Sequence, residues 1–149
     1  MNEYEFEACK NGNLDQVREL FGETSWFCEK VKYLFGKPTK NQALCWSSDY
    51  GHLKVVKYLI SVGASVHAND DWPIRYASER GHLEVVEYLV SIGADVHAKD
   101  DQALRNASRS GHLDIVKFLV SVGASNFDEA RQGAWAFGHK QVANILSNQ

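Results

Sequence analysis

Cysteine is scarce in this chain: Cys9, Cys28 and Cys45 are all there is, an odd number without CxxC spacing. That pattern excludes a disulfide framework and a cysteine metal cluster, and it suits reduced thiols in a cytosol. Long apolar runs are missing too, since no stretch approaches the ~20 residues that a membrane helix requires. The first ten residues carry Glu3, Glu5 and Glu7 where a secretory signal would place a basic segment and an apolar run. The chain is therefore expected to remain in the cytoplasm, away from membranes. Blocks of like charge are absent, and 16 Lys and Arg against 19 Asp and Glu leave a net charge of −3. A grip on phosphate backbones needs a basic field, so nucleic acid is not an expected partner.

What is present is the balance of one soluble domain: 149 residues, 44% of them hydrophobic and 23% charged. One phrase returns three times. Gly51-His52-Leu53-Lys54-Val55-Val56-Lys57-Tyr58-Leu59-Ile60-Ser61-Val62-Gly63-Ala64 recurs from Gly81 and again from Gly111, at intervals of 30 residues. Apolar residues at 53, 56, 59 and 60 stand three or four apart, on one face of a helix. Gly63, Gly93 and Gly123 stop that helix, and Gly51, Gly81 and Gly111 stop a shorter one upstream, over 43–49, 73–80 or 103–110. Pro73 suits a first helical position, and Asn41, Asp71 and Asp101 stand where caps belong. Each unit thus reads as helix, tight turn, helix, and a short extended connection such as Val66 to Asp71. No unit can bury its apolar face alone, so the units must stack along one axis.

The phrase Gly-His-Leu-x-Val-Val-x-Tyr-Leu-Val-Ser-x-Gly-Ala-Asp-Val-His-Ala resembles the second helix and hairpin of the ankyrin repeat. The resemblance covers residues 41–125 closely, and the 30-residue unit is similar to the short variant found in giant DNA viruses. It implies an all-α solenoid of stacked helix-turn-helix units with stunted hairpin connections, because the usual unit has ~33 residues. The family's Thr-Pro-Leu-His stretch becomes Gln42-Ala43-Leu44-Cys45, Trp72-Pro73-Ile74-Arg75 and Gln102-Ala103-Leu104-Arg105. Its Thr-to-His hydrogen bonding is therefore lost here. Residues 1–21 read as an N-terminal capping unit, with Gly12, Leu14, Val17 and Leu20 in register with Gly51, Leu53, Val56 and Leu59. The segment 22–40 reads as an insertion holding a helix over 25–35, and residues 126–149 read as a C-terminal cap in which Lys140 and Arg131 replace Leu113 and Leu104.

His52, His82 and His112 fall on successive layers instead of around one ion, which favours a structural role over metal binding. His67 and His97 stand where the family usually has an asparagine that some hydroxylases modify; a turn role is the simpler expectation. A nucleophile needs an adjacent base and an orienting group, and neither the cysteines nor the serines have such a set. Every clear glycine is a helix stop at repeat spacing, so no phosphate-cradling loop exists. No enzyme, cofactor, metal or small-molecule substrate is expected. The exposed charges at 54, 57, 84, 87, 114 and 117 suggest an ion-pair ladder across the second helices.

Positions that differ between units carry the functional signal: Trp46, Tyr76 and Asn106; Asp49-Tyr50, Glu79-Arg80 and Arg109-Ser110; and Trp72. In the family such positions line the concave surface. Aromatic and Arg side chains most often carry interface energy, so Trp46, Trp72, Tyr76 and Arg80 are the candidate anchors, with Asp49, Tyr50, Glu79, Asn106 and Arg109 around them. The competing reading is local packing, with Trp72 covering the short finger and Trp46 lying under the insertion. The expected function is a monomeric, non-catalytic module that binds another protein. The alternative is a target-recruiting subunit of a ubiquitin ligase, docked through the inserted helix.

Overall fold

The computed structural model of the chain describes residues 3–21 and 39–149. The insertion helix expected over 25–35, with Cys28, lies outside the described residues. Ten helices follow one another within them, and no strand occurs there. They alternate between two rows. The first helices are α1 (Glu3–Lys10), α3 (Lys40–Asp49), α5 (Ala68–Arg80), α7 (Ala98–Ser110) and α9 (Phe127–Ala136). The second helices are α2 (Leu14–Phe21), α4 (Leu53–Ser61), α6 (Leu83–Ser91), α8 (Leu113–Ser121) and α10 (Lys140–Leu146). Like packs on like from layer to layer, and each first helix also packs on its own second helix.

The core is one continuous column between the rows. Val55, Val56 and Leu59, Val85, Val86 and Leu89, and Ile115, Val116 and Leu119 supply the second-helix side. Leu53 and Ile60, expected on that face, are only half-buried, whereas Val55 is fully buried. Each of α4, α6 and α8 meets a second helix in both adjacent layers, so its buried stripe is wider than a single amphipathic face. The first helices contribute Leu44, Ile74 and Leu104 with Ala43, Ala77, Ala103, Ala107, Ala130 and Ala134, small residues that let successive helices approach closely.

The turn between the two helices of a unit is closed by a ring from the next layer. Gly81 has φ +87°, and a Cβ there would lie 2.7 Å from His112 Cε1. That ring's Nε2 donates to the Glu79 carbonyl at 2.9 Å, as His82 donates to Asp49 at 2.9 Å and His52 to Lys10. The histidines are thus rivets between layers.

The connection between units is not extended. Asn69, Asp70 and Asp71 have φ of 53°, 56° and 56°, and Lys99, Asp100 and Asp101 have 54°, 58° and 55°. This is a single left-handed turn, which runs directly into the right-handed part of α5 or α7. The capping residues act differently from expectation. Thr39 caps α3, accepting from the Gln42 N–H, while the Gln42 side chain accepts from the Thr39 N–H. Asn41, Asp71 and Asp101 reach instead to the end of their own unit, accepting from the N–H of Ser65, Asp95 and Ser125 at 2.8 Å each.

Arginine replaces the missing Thr-to-His bonding. Arg75 Nη2 donates to the Asn69 carbonyl at 3.0 Å and Arg105 Nη2 to the Lys99 carbonyl at 2.7 Å, pinning each left-handed turn. Cys45, the counterpart of Arg75 and Arg105, instead accepts through Sγ from Asn69 Nδ2 of the next unit at 3.7 Å.

Candidate functional site

Because the first helices stack in register, every position in them generates a row of side chains running along the solenoid. One row reads Trp46, Tyr76, Asn106 and, 27 residues further on, Gly133. Trp46 and Tyr76 are half-buried, leaving part of each ring in solvent. Trp72, one turn before Tyr76, stacks on it with ring centroids 4.0 Å apart and planes inclined by 24°. A stack of this kind fixes both rings and presents a stiff amphipathic surface. Trp72 therefore packs on Tyr76 rather than serving only to cover the turn behind it.

The next row is ionic, and its pairs link layers. Arg80 Nε donates to Asp49 Oδ1 at 3.0 Å, with Asp49 largely covered and Arg80 largely exposed. That carboxylate and its hydrogen bond hold the Arg80 guanidinium even more firmly protonated than usual. Arg109 Nη2 approaches Glu79 Oε1 at 3.6 Å. Tyr50 completes the row with 37% of its surface exposed.

Asn106 differs from the expectation of an exposed contact. It is only 6% exposed, and its Nδ2 donates to the Arg75 carbonyl at 3.3 Å and to Glu79 Oε2 at 3.1 Å. Its amide is shorter than the rings at 46 and 76, so it lies down between layers and positions Glu79.

The ion-pair ladder expected on the second helices does not form among the described residues. Lys57 Nζ stands 5.2 Å from the centre of the Tyr88 ring instead. Ion pairs between layers belong to the first helices and connections, including Lys99 with Asp70 at 2.9 Å.

No arrangement for covalent catalysis appears around Cys45. It is buried, and burial pushes its thiol up to about 11, the opposite of what a nucleophile needs. His67 and His97 face Asp71 and Asp101 through Nδ1, at 3.1 and 2.7 Å, and brace the left-handed turns.

Several exposed residues lie outside the set read from the sequence. Trp135 and Phe137, on the last unit, are 52% and 63% exposed. A recess of about 240 Å³ is lined by Gln102, Arg105, Asn106, Arg109, Glu129 and Gly133. Carrying the repeat register one unit further, to Gly133, would have located its floor.

Comparison with protein families places this geometry in context. A family model described as ankyrin repeats in three copies matches residues 6–100 and, again, residues 73–130.

Proposed function

The chain belongs to the ankyrin repeat family, whose repeats generally mediate protein–protein interaction, and from that premise we propose that it is a non-catalytic docking module. Its binding surface is the first-helix strip, on the concave side in this family. Trp46, Trp72 and Tyr76 form its aromatic half, and Asp49, Tyr50, Glu79, Arg80 and Arg109 form its polar border, with Asn106 holding Glu79 from beneath.

The stacked Trp72–Tyr76 pair carries this reading. Two large rings held partly in solvent, with cross-layer ion pairs beside them, match the anatomy of an interface hot spot with a polar rim. Rings locked before binding lose little side-chain entropy when a partner arrives. We place this docking in the cytoplasm, as a monomer. The buried thiol of Cys45 suits a reducing compartment, and no described helix is long and apolar enough to cross a membrane.

The ubiquitin-ligase alternative depends on segment 22–40, of which 22–38 fall outside the described residues, and no observation favours it. Affinity pull-down with mass spectrometry tests the docking reading. A partner retained by the intact chain should be lost from a folded Trp46→Ala, Trp72→Ala, Tyr76→Ala variant. Retention by both would move the binding surface elsewhere.

A further inference from the structure

The aromatic strip ends in a recess whose chemistry differs from the rest. At the position held by Trp46, Tyr76 and Asn106 in earlier units, the last first-helix carries Gly133, in the interior of α9. Glycine inside a helix is destabilising relative to alanine, and two reasons can justify it: a left-handed backbone or a close neighbour. Neither applies. Gly133 is absent from the positive-φ glycines, and a Cβ there would meet nothing closer than Arg109 Cβ at 3.7 Å, ordinary contact. What the missing side chain creates is the recess of about 240 Å³.

The walls of that recess hold donors that are not spent within the protein. Arg109 has one long ion pair, 3.6 Å to Glu79, and no hydrogen bond among the described residues. Arg105 spends Nη1 on Glu129 and Nη2 on the Lys99 carbonyl, and its buried Nε has no partner. Gln102 accepts through Oε1 from Arg75 Nη1 at 2.6 Å, which orients that side chain with its amide N–H₂ unspent. Of the two wall guanidiniums, Arg105 is paired with the wall carboxylate of Glu129, whereas Arg109 meets only Glu79, outside the wall and at 3.6 Å, so Arg109 keeps donors to spare toward the recess. The fixed fork of guanidinium N–H groups pairs best with a planar anionic acceptor.

We propose that this recess receives a carboxylate from the docked protein, an Asp or Glu side chain of a bound segment that crosses the aromatic strip. This rests on the docking surface proposed above and adds a charge preference at one end of it. The carboxylate lies over Gly133, taking the free face of the Arg109 guanidinium and the unspent amide N–H₂ of Gln102. Trp72 and Tyr76 hold the apolar part of the same segment.

The test is selection of a random peptide library against the full chain, followed by affinity measurement of the selected peptides. Those that bind the strip should carry Asp or Glu at one fixed position. Changing that residue to Asn or Gln should weaken binding to the wild-type chain about tenfold or more. Arg109→Gln and Gly133→Leu, each shown folded by its far-UV helical signal, should erase the difference between acidic and amide peptides. Trp72→Ala with Tyr76→Ala should weaken both peptides equally. Peptides that need Trp72 and Tyr76 but show no acidic position, or one unaffected by Arg109→Gln and Gly133→Leu, overturn the recess while leaving the strip. An acidic preference abolished by Gly133→Leu in peptides indifferent to Trp72 and Tyr76 supports the recess and removes the strip. A library yielding no binder to the wild-type chain overturns both.

Discussion

The tightest constraint on single residues is the contact between a turn glycine and the histidine of the following layer. Gly81 and Gly93 both have positive φ, 87° and 97°, but only Gly81 has a neighbouring ring; nothing lies within 4 Å of a Cβ at Gly93. Left-handed backbone costs a non-glycine residue about 1–2 kcal/mol. Gly93→Ala should lose about that much stability in chemical denaturation, and Gly81→Ala clearly more, because the His112 ring must also move off the Glu79 carbonyl. Asp101 makes a second residue-scale prediction. Burial raises its pKa, but the N–H groups of Ser125 and Asn126 and the His97 ring outweigh that and hold it below the ordinary carboxylate value. A lowered folded pKa stabilises the fold at pH values above the unfolded value near 3.9, and that contribution disappears as the pH falls through the folded pKa. Denaturation midpoints measured between about pH 6 and pH 2 should therefore fall less steeply for Asp101→Asn. Asparagine can still accept those N–H bonds, as Asn41 does from Ser65 at 2.8 Å. Asp101→Ala cannot, and should cost about 1–3 kcal/mol even at neutral pH. The histidine rivets were legible from their recurrence, whereas the reach of Asp101 across 24 residues to Ser125 was not. A short acidic side chain before a helix reads locally as a cap, and only the packed unit shows a better donor nearby.

At the scale of elements, the left-handed turns joining the units are the principal departure from the sequence reading. Three consecutive non-glycine residues at positive φ run against local propensity. They persist because Arg75 or Arg105 holds the turn's carbonyl, and Asp71 or Asp101 ties its other end to the close of the unit. No periodicity signals such a turn, since its determinants lie in the following helix and in the loop that closes the unit. Lys99 is the member least suited to that conformation, because asparagine and aspartate tolerate it better. Lys99→Val should destabilise the protein by about 1–2 kcal/mol, since a β-branched residue is a genuine outlier there. Lys99→Gly should retain wild-type stability to within about 1 kcal/mol, losing only an exposed ion pair to Asp70. Thermal unfolding of the pair separates backbone strain from loss of that charge pair. The helices themselves were legible from spacing, and their ends from glycine, because the repeat states both three times.

At the scale of the whole molecule, repetition made the architecture readable and hid part of the site. The stacked rows followed from the phrase recurring every 30 residues. Trp46, Trp72 and Tyr76 stood out as departures within that frame. The recess escaped notice because its defining feature is an absent side chain, and its walls come from two layers whose relative placement no single phrase encodes. The exposed Trp135 and Phe137 were hidden for a related reason: the last unit departs most from the repeat, so register gave little guide to which of its faces meets solvent. The central claim is that partners dock on the first-helix strip. Incorporating a photo-crosslinking amino acid at Tyr76 in one variant and at Tyr88, on the second-helix row, in another tests it directly in cells. The account predicts one discrete crosslinked adduct from position 76 and none from position 88; adducts from 88 alone would place the docking surface on the opposite row and contradict it.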